Sequence, residues 1–141
     1  MKQYYEPLRH TADLAVRIYG KTLEDLFINA AKTIFDITAQ PNAAAFASPP
    51  ILFNIDSNDH EELLVNWLNE ILFYFYTEKI ICTSFKVTNL TKKHLEIKTE
   101  TKKITAQSNF IKTEIKSVTF HNVEIEKEHL GGYKVDLILD I

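Results

Sequence analysis

Residues 133–141 alternate along their whole length and run to the last residue without a polar tail. Tyr133, Val135, Leu137, Leu139 and Ile141 fall on one face, and Lys134, Asp136, Ile138 and Asp140 on the other, the period of a β-strand. A second alternating segment opens at Asp13: Leu14, Val16 and Ile18 point one way, Ala15, Arg17 and Tyr19 the other. If the final strand lies beside this early one, three anionic groups come within reach of each other. They are the carboxylates of Asp13 and Asp140 and the α-carboxylate of Ile141. Like charges that close repel, and a cation between them is the usual means of holding them together.

The rest of the chain has to accommodate that pairing. Thr22 is a good N-cap, with Glu24 and Asp25 in the first turn where negative charge suits the helix dipole. Leu23, Leu26, Phe27, Ala30, Ala31, Ile34 and Phe35 follow at helical spacing, which predicts a helix to about Thr38. Residues 40–50 hold three of the four prolines and read as an ordered loop or a mobile flap. Ile51, Phe53 and Ile55 alternate as a strand. Asp59 with Glu62 resembles a capping box, opening a second helix whose stripe is Leu63, Leu64, Trp67, Leu68, Ile71, Leu72 and Phe75. Trp67 belongs to that core stripe, while Asn66 and Glu70 read as a solvated face.

From Ile81 the period changes to two. Strands are expected around 85–89, 94–101, 115–125 and 132–141, with Leu130-Gly131-Gly132 in the last turn. An extended arm at 4–9, bent at Pro7, precedes them all. Helix–strand alternation is confined to the first half, so a doubly wound sheet is excluded. The expected fold is α+β, two helices packed on a mostly antiparallel β-sheet sandwich, in one domain spanning 1–141.

Composition sets the outer bounds. A length of 141 residues, with 45% hydrophobic and 25% charged, suits one soluble globular domain. The net charge of −3 argues against a basic nucleic-acid-binding surface, so RNA is expected only through a partner. The lone cysteine, Cys82, cannot form an internal disulfide and suits a reducing cytosol; it reads as a small buried side chain. The N-terminus has no apolar signal core, and no apolar run is long enough to span a bilayer. A cytoplasmic location and no membrane partner follow as expectations.

Few residues offer chemistry. Taken alone, Asp13 is an ordinary turn residue and Asp140 an ordinary solvent-face residue. Together with the Ile141 carboxylate they form an all-oxygen set, which favours hard ions such as Ca²⁺, Mg²⁺ or Mn²⁺ completed by water. Zinc is disfavoured, since there is one cysteine and no His-x₃-His pair. His10 could support the site or contact phosphate, or serve a purely structural role. Lys116 could pair with the carboxylates or reach a ligand's phosphate, and His121 lies in the same run. There is no nucleophile–base–orienter set and no phosphate-binding glycine loop, which points to ion binding without independent catalysis.

Four stretches carry a resemblance: His10-Thr11-Ala12-Asp13, Leu64-Val65-Asn66-Trp67-Leu68-Asn69-Glu70, the run from Thr113 to His121, and Leu137-Ile138-Leu139-Asp140-Ile141. In this order and at this length the chain resembles the archease family over essentially its whole extent. It departs at Asn66, where Asp is common, and at Asn109 and Lys112, where His and Gly are. The resemblance implies a non-enzymatic activator of an RtcB-type tRNA-splicing ligase, the enzyme that seals tRNA halves using GTP and Mn²⁺. Such an activator promotes guanylylation of the ligase histidine and multiple turnover. It also implies that Asp13, Asp140 and Ile141 hold a divalent ion, calcium in relatives, with Lys116, His10 and His121 in a functional tip. Two other readings stay open: a chaperone or specificity modulator of a tRNA-modifying methyltransferase, and a metal-dependent phosphoester hydrolase with His121 as base. Self-association is not legible.

Overall fold

The computed structural model describes residues 4–8, 13–105 and 109–141. Two antiparallel sheets hold two helices, and each helix touches both sheets. One sheet is ordered β1 (Tyr5–Leu8), β2 (Leu14–Gly20), β8 (Tyr133–Asp140) and β6 (Ser117–Val118), with β7 (Glu126–Lys127) also paired to β8. The other is ordered β3 (Ala45–Asp56), β5 (His94–Ile104) and β4 (Ile80–Leu90). The helices are α1 (Leu23–Thr38) and α2 (His60–Glu78). The expected α+β sandwich is the observed one.

Both helices start where the caps place them. The Thr22 hydroxyl accepts from the Asp25 N–H at 3.0 Å, and the Asp59 carboxylate from the Glu62 N–H at 2.8 Å. Only half of the second capping box forms, because Glu62 turns its carboxylate to the Asn58 amide instead. Helix α2 is buried on more than one side, with Leu63, Leu64, Val65, Trp67, Leu68, Ile71, Leu72 and Phe75 all inside. Lying between two sheets, it has little solvent face to spare. Trp67 is at its centre, donating through Nε1 to the Phe27 carbonyl at 3.1 Å and meeting Phe53 and Phe85 edge-on. That indole ties α2 to α1 and to both outer strands of the second sheet.

Two expectations need correction. Residues 45–50 are not a loop: β3 already runs through Ser48-Pro49-Pro50, with a register shift between Ser48 and Ile51. As an edge strand, β3 tolerates prolines that donate nothing to a ladder. The carbonyls freed by the shift are taken up by β5, where the Thr99 hydroxyl donates to the Ile51 carbonyl and that of Thr101 to the Pro49 carbonyl. Nor is 115–125 one strand. Pairing to β8 persists only from Lys116 to Thr119, and the chain then turns through Asn122, whose φ of 54° is left-handed.

Gly20 ends β2 against the first turn of α1, and a Cβ there would lie 2.3 Å from the Leu26 nitrogen. Gly131, in the last turn, has φ of 101° but open space around it. Gly20→Ala should therefore cost about 3 kcal/mol, through forced backbone movement, and Gly131→Ala only about 1 kcal/mol, through conformation alone. Urea denaturation of the two variants checks the order.

Candidate functional site

Strands β2 and β8 are register partners from Leu14 with Leu139 to Gly20 with Tyr133. One step beyond the Leu14–Leu139 pair come Asp13 and Asp140. On the other edge of β8, Ser117 is the partner of Asp140, and the Lys116 N–H donates to the Asp140 carbonyl at 2.6 Å. Asp13, Asp140, Ile141 and Lys116 thus meet at one end of the first sheet. Asp13 and Asp140 are half-buried; Lys116 and Ile141 are exposed.

The segment bearing Lys116 is short of regular structure, so side chains have to hold it. The Tyr76 hydroxyl donates to the Ile115 carbonyl at 2.8 Å and accepts from the Ile115 N–H at 2.9 Å. Two helical turns earlier on the same side, the Asn69 amide donates to the Val118 carbonyl and accepts from the Val118 N–H, at 3.0 and 2.8 Å. Upstream, the Lys112 ammonium and N–H donate to the carbonyls of Asp36 and Thr38 at the end of α1. At the first clamp, the Ile115 side chain is wholly buried. These anchors fix where Lys116 and Ser117 stand beside Asp140.

Along the sheet away from this end, charges are already paired. Arg17 grips Asp136 with two hydrogen bonds of 2.7 and 3.0 Å and lies 3.9 Å from Glu6, and Lys134 is 4.0 Å from Glu126. Asp140 lies on the same face of β8 as Asp136, beyond the reach of this pairing set.

The donors at the sheet end are oxygens only. Among the described residues no group of three His, Cys, Asp or Glu side chains comes together. Asp13, Asp140 and a terminal carboxylate would supply two side chains and one main-chain group, a set that fits a hard divalent ion with water in its shell and does not fit zinc. His10 lies outside the described residues. His121 is not at this end: β6 runs antiparallel to β8, which carries the chain away from Asp140, and the imidazole is exposed with Nε2 3.1 Å from the Asn122 amide. Asn66 and Glu70 do not form a solvated face. Both are half-buried, and the Asn66 amide donates to the Ser57 hydroxyl at 2.8 Å. The residues that sequence reasoning missed are Asn69 and Tyr76. Their only signal was a polar group within a helix otherwise apolar all round.

Cys82 is buried, and burial pushes its thiol up to about 12, partly opposed by a hydrogen bond involving Thr99. It is inert as a nucleophile at neutral pH. Burial also drives the Tyr5 phenol up to about 12, with the hydrogen bond to the Asp36 carboxylate adding to the effect.

A model of the archease protein family matches residues 5–141. The chain is 35% identical to the protein archease of Methanosarcina barkeri, over 97% of this chain and 95% of that one. It is 31% identical to the protein archease of Pyrococcus furiosus over 100% of both. Among solved structures, protein 1598 of Methanobacterium thermoautotrophicum is 32% identical, with a TM-score of 0.75 over 98% of this chain and 99% of that one. The archease of Thermotoga maritima, described as a possible chaperone, shares the fold at 20% identity, with a TM-score of 0.66 over 96% of both.

Two outcomes are expected. Asn69→Ala strands both the N–H and the carbonyl of Val118 and should cost about 1–3 kcal/mol in urea denaturation. It should also raise amide exchange at Val118 and Thr119 more than in β2. Second, the folded chain keeps the Cys82 and Tyr5 protons where the unfolded chain loses them, near their ordinary values of 9.0 and 10.0. Their contribution is full below about pH 9 and is lost as pH climbs toward about 12, so stability should fall over that window. Cys82→Ala should flatten the early part of the fall in denaturation measured at stepped pH.

Proposed function

The chain belongs to the archease family, and from that premise we propose that it is a non-enzymatic activator of an RtcB-type RNA-splicing ligase. Its work is to promote guanylylation of the ligase and multiple turnover in tRNA splicing, in the cytoplasm. The observation that carries this reading is the junction of β2, β8 and β6, which gathers Asp13, Asp140 and Lys116 at one end of a sheet.

Asp13, Asp140 and the Ile141 carboxylate would hold a divalent cation there, calcium or otherwise Mg²⁺ or Mn²⁺. When bound, such an ion supplies positive charge to phosphate oxygens. The chain's own residues do the rest. Asp140 ends β8 and Asp13 is the residue immediately before β2, so the paired strands bring the two carboxylates to the same end of a packed sheet. The Lys116 backbone is tied to Asp140, while its ammonium is exposed and free to follow a phosphate of the ligase-bound nucleotide. An end of this kind, small and rigid, suits insertion into a partner's active site better than catalysis of its own.

Asp13→Ala and Asp140→Ala should each slow single-turnover guanylylation of the ligase by about tenfold or more. Both should also abolish the heat of calcium binding to the isolated protein in calorimetry. Unchanged guanylylation rates, or phosphoester hydrolysis by the isolated protein with a divalent metal, would count against the proposal. Stable binding to a tRNA methyltransferase, indifferent to either substitution, would favour the chaperone reading.

A further inference from the structure

Helix α2 keeps almost all of its apolar surface inside, yet Phe73 is 58% exposed and takes no part in the core cluster. Its ring meets that of Tyr74 edge-on, with 5.9 Å between centroids. A single exposed ring is ordinary on a protein surface. The position of this one is not.

Asn69 and Tyr76 hold the same segment of chain, Asn69 at Val118 and Tyr76 at Ile115. Phe73 lies between them along the helix, and so stands level with Lys116 and Ser117. Around the helix axis, Leu72 is turned about 60° to one side of Asn69 and Phe73 about 40° to the other. Leu72 is buried and Phe73 exposed, which puts Phe73 on the outer side of the segment. In the sheet, Leu137, Leu139 and Val118 are buried, so alternation sends Asp140 and its register partner Ser117 to the outer face. Asp13, one step beyond the Leu14–Leu139 pair, falls on that face too. Asp13, Asp140, Ser117 and Phe73 therefore follow one another across a single surface.

Charge narrows what covers the ring. Helix α2 carries Glu61, Glu62, Glu70 and Glu78 and has neither lysine nor arginine. The sheet beside it ends in Asp13 and Asp140. A nucleic-acid strand would bring its phosphates against these carboxylates, and a second copy docked face to face would bring the same carboxylates again. A protein pocket with an apolar floor and a cationic rim matches both the ring and its surroundings. We infer that Phe73 is the docking anchor of the ion-binding end, seating in an apolar, cation-rimmed pocket of the ligase. That the partner is the ligase rests on the activator reading proposed above. Exposed aromatics of this kind carry much of the binding energy of protein interfaces. The labour is then divided: Asp13, Asp140 and Lys116 act on the reaction, and Phe73 keeps the end in place.

The test is guanylylation of the ligase, titrated with the full chain. With Phe73→Ala the half-saturating concentration should rise at least about tenfold, while the rate at saturation stays unchanged. Asp13→Ala should instead lower the rate at saturation. Phe73→Ala should keep the heat of calcium binding to the isolated protein, and Phe73→Leu should recover most of the lost affinity. Phe46→Ala, which removes a ring 54% exposed on the other sheet, should leave the titration unchanged. The half-saturating concentration of the unaltered chain should rise with salt. The inference is overturned by a half-saturating concentration indifferent to Phe73→Ala or to salt, or moved as far by Phe46→Ala. It is also overturned if Phe73→Leu is no better than Phe73→Ala, which would assign the ring to stacking on a base. If the unaltered chain fails to accelerate guanylylation at any concentration, the activator reading falls and takes the anchor with it. Acceleration indifferent to Phe73 sinks the anchor alone.

Discussion

Burial of α2 between two sheets is the constraint from which the rest of the structure follows. A helix apolar on nearly every side cannot rest on one sheet, because half its surface would then face water. Here the second sheet covers one flank, through Phe53 and Phe85 against Trp67. The first sheet and its irregular segment cover another. The few polar groups on such a helix must then find partners inside the protein, since an unpaired buried donor or acceptor costs far more than a satisfied one gains. Asn69 and Tyr76 find theirs in the main chain of Val118 and Ile115, and Trp67 finds the Phe27 carbonyl. What a core helix needs for its own stability is thus also what anchors the segment that leads to Lys116.

This coupling links the core to the sheet end. β6 is only two residues long, and two ladder positions would not hold an extended segment against the entropy of a free chain. The amide of Asn69 and the phenol of Tyr76 replace a ladder with four hydrogen bonds to the main chain. A segment secured in this way keeps a fixed position yet leaves its outward side chains unconstrained. Rigid backbone with exposed functional groups is what a partner-facing end requires.

Much of this was legible because it depends on local patterns. Thr22 and Asp59 announce the helix starts, the stripes through Phe27 and Trp67 announce their faces, and the alternation in 14–20 and 133–140 announces two strands. That those two strands are neighbours was an inference from charge, and the register of Leu14 with Leu139 agrees with it. The failures have a common cause: each depends on a partner distant in sequence. Prolines 49 and 50 read as loop because nothing local reveals that Thr99 and Thr101 will accommodate a shifted edge strand. Asn66 reads as solvated because helical spacing does not reveal the Ser57 hydroxyl that takes its amide. Residues 115–125 alternate well enough for a strand, but the pairing edge of β8 is shared with β7, and the chain has to turn at Asn122 to supply it.

Net charge is blind to pairing for the same reason, since it discards position. Charges scattered over a protein surface usually settle near opposite charges, as Arg17 does with Asp136, at little energetic consequence. Where lysines instead stand opposite each other, as Lys86 and Lys98 do, folding gains nothing from the arrangement and loses a little. Such a loss is hard to attribute to folding stability, because substitution of either lysine would relieve it.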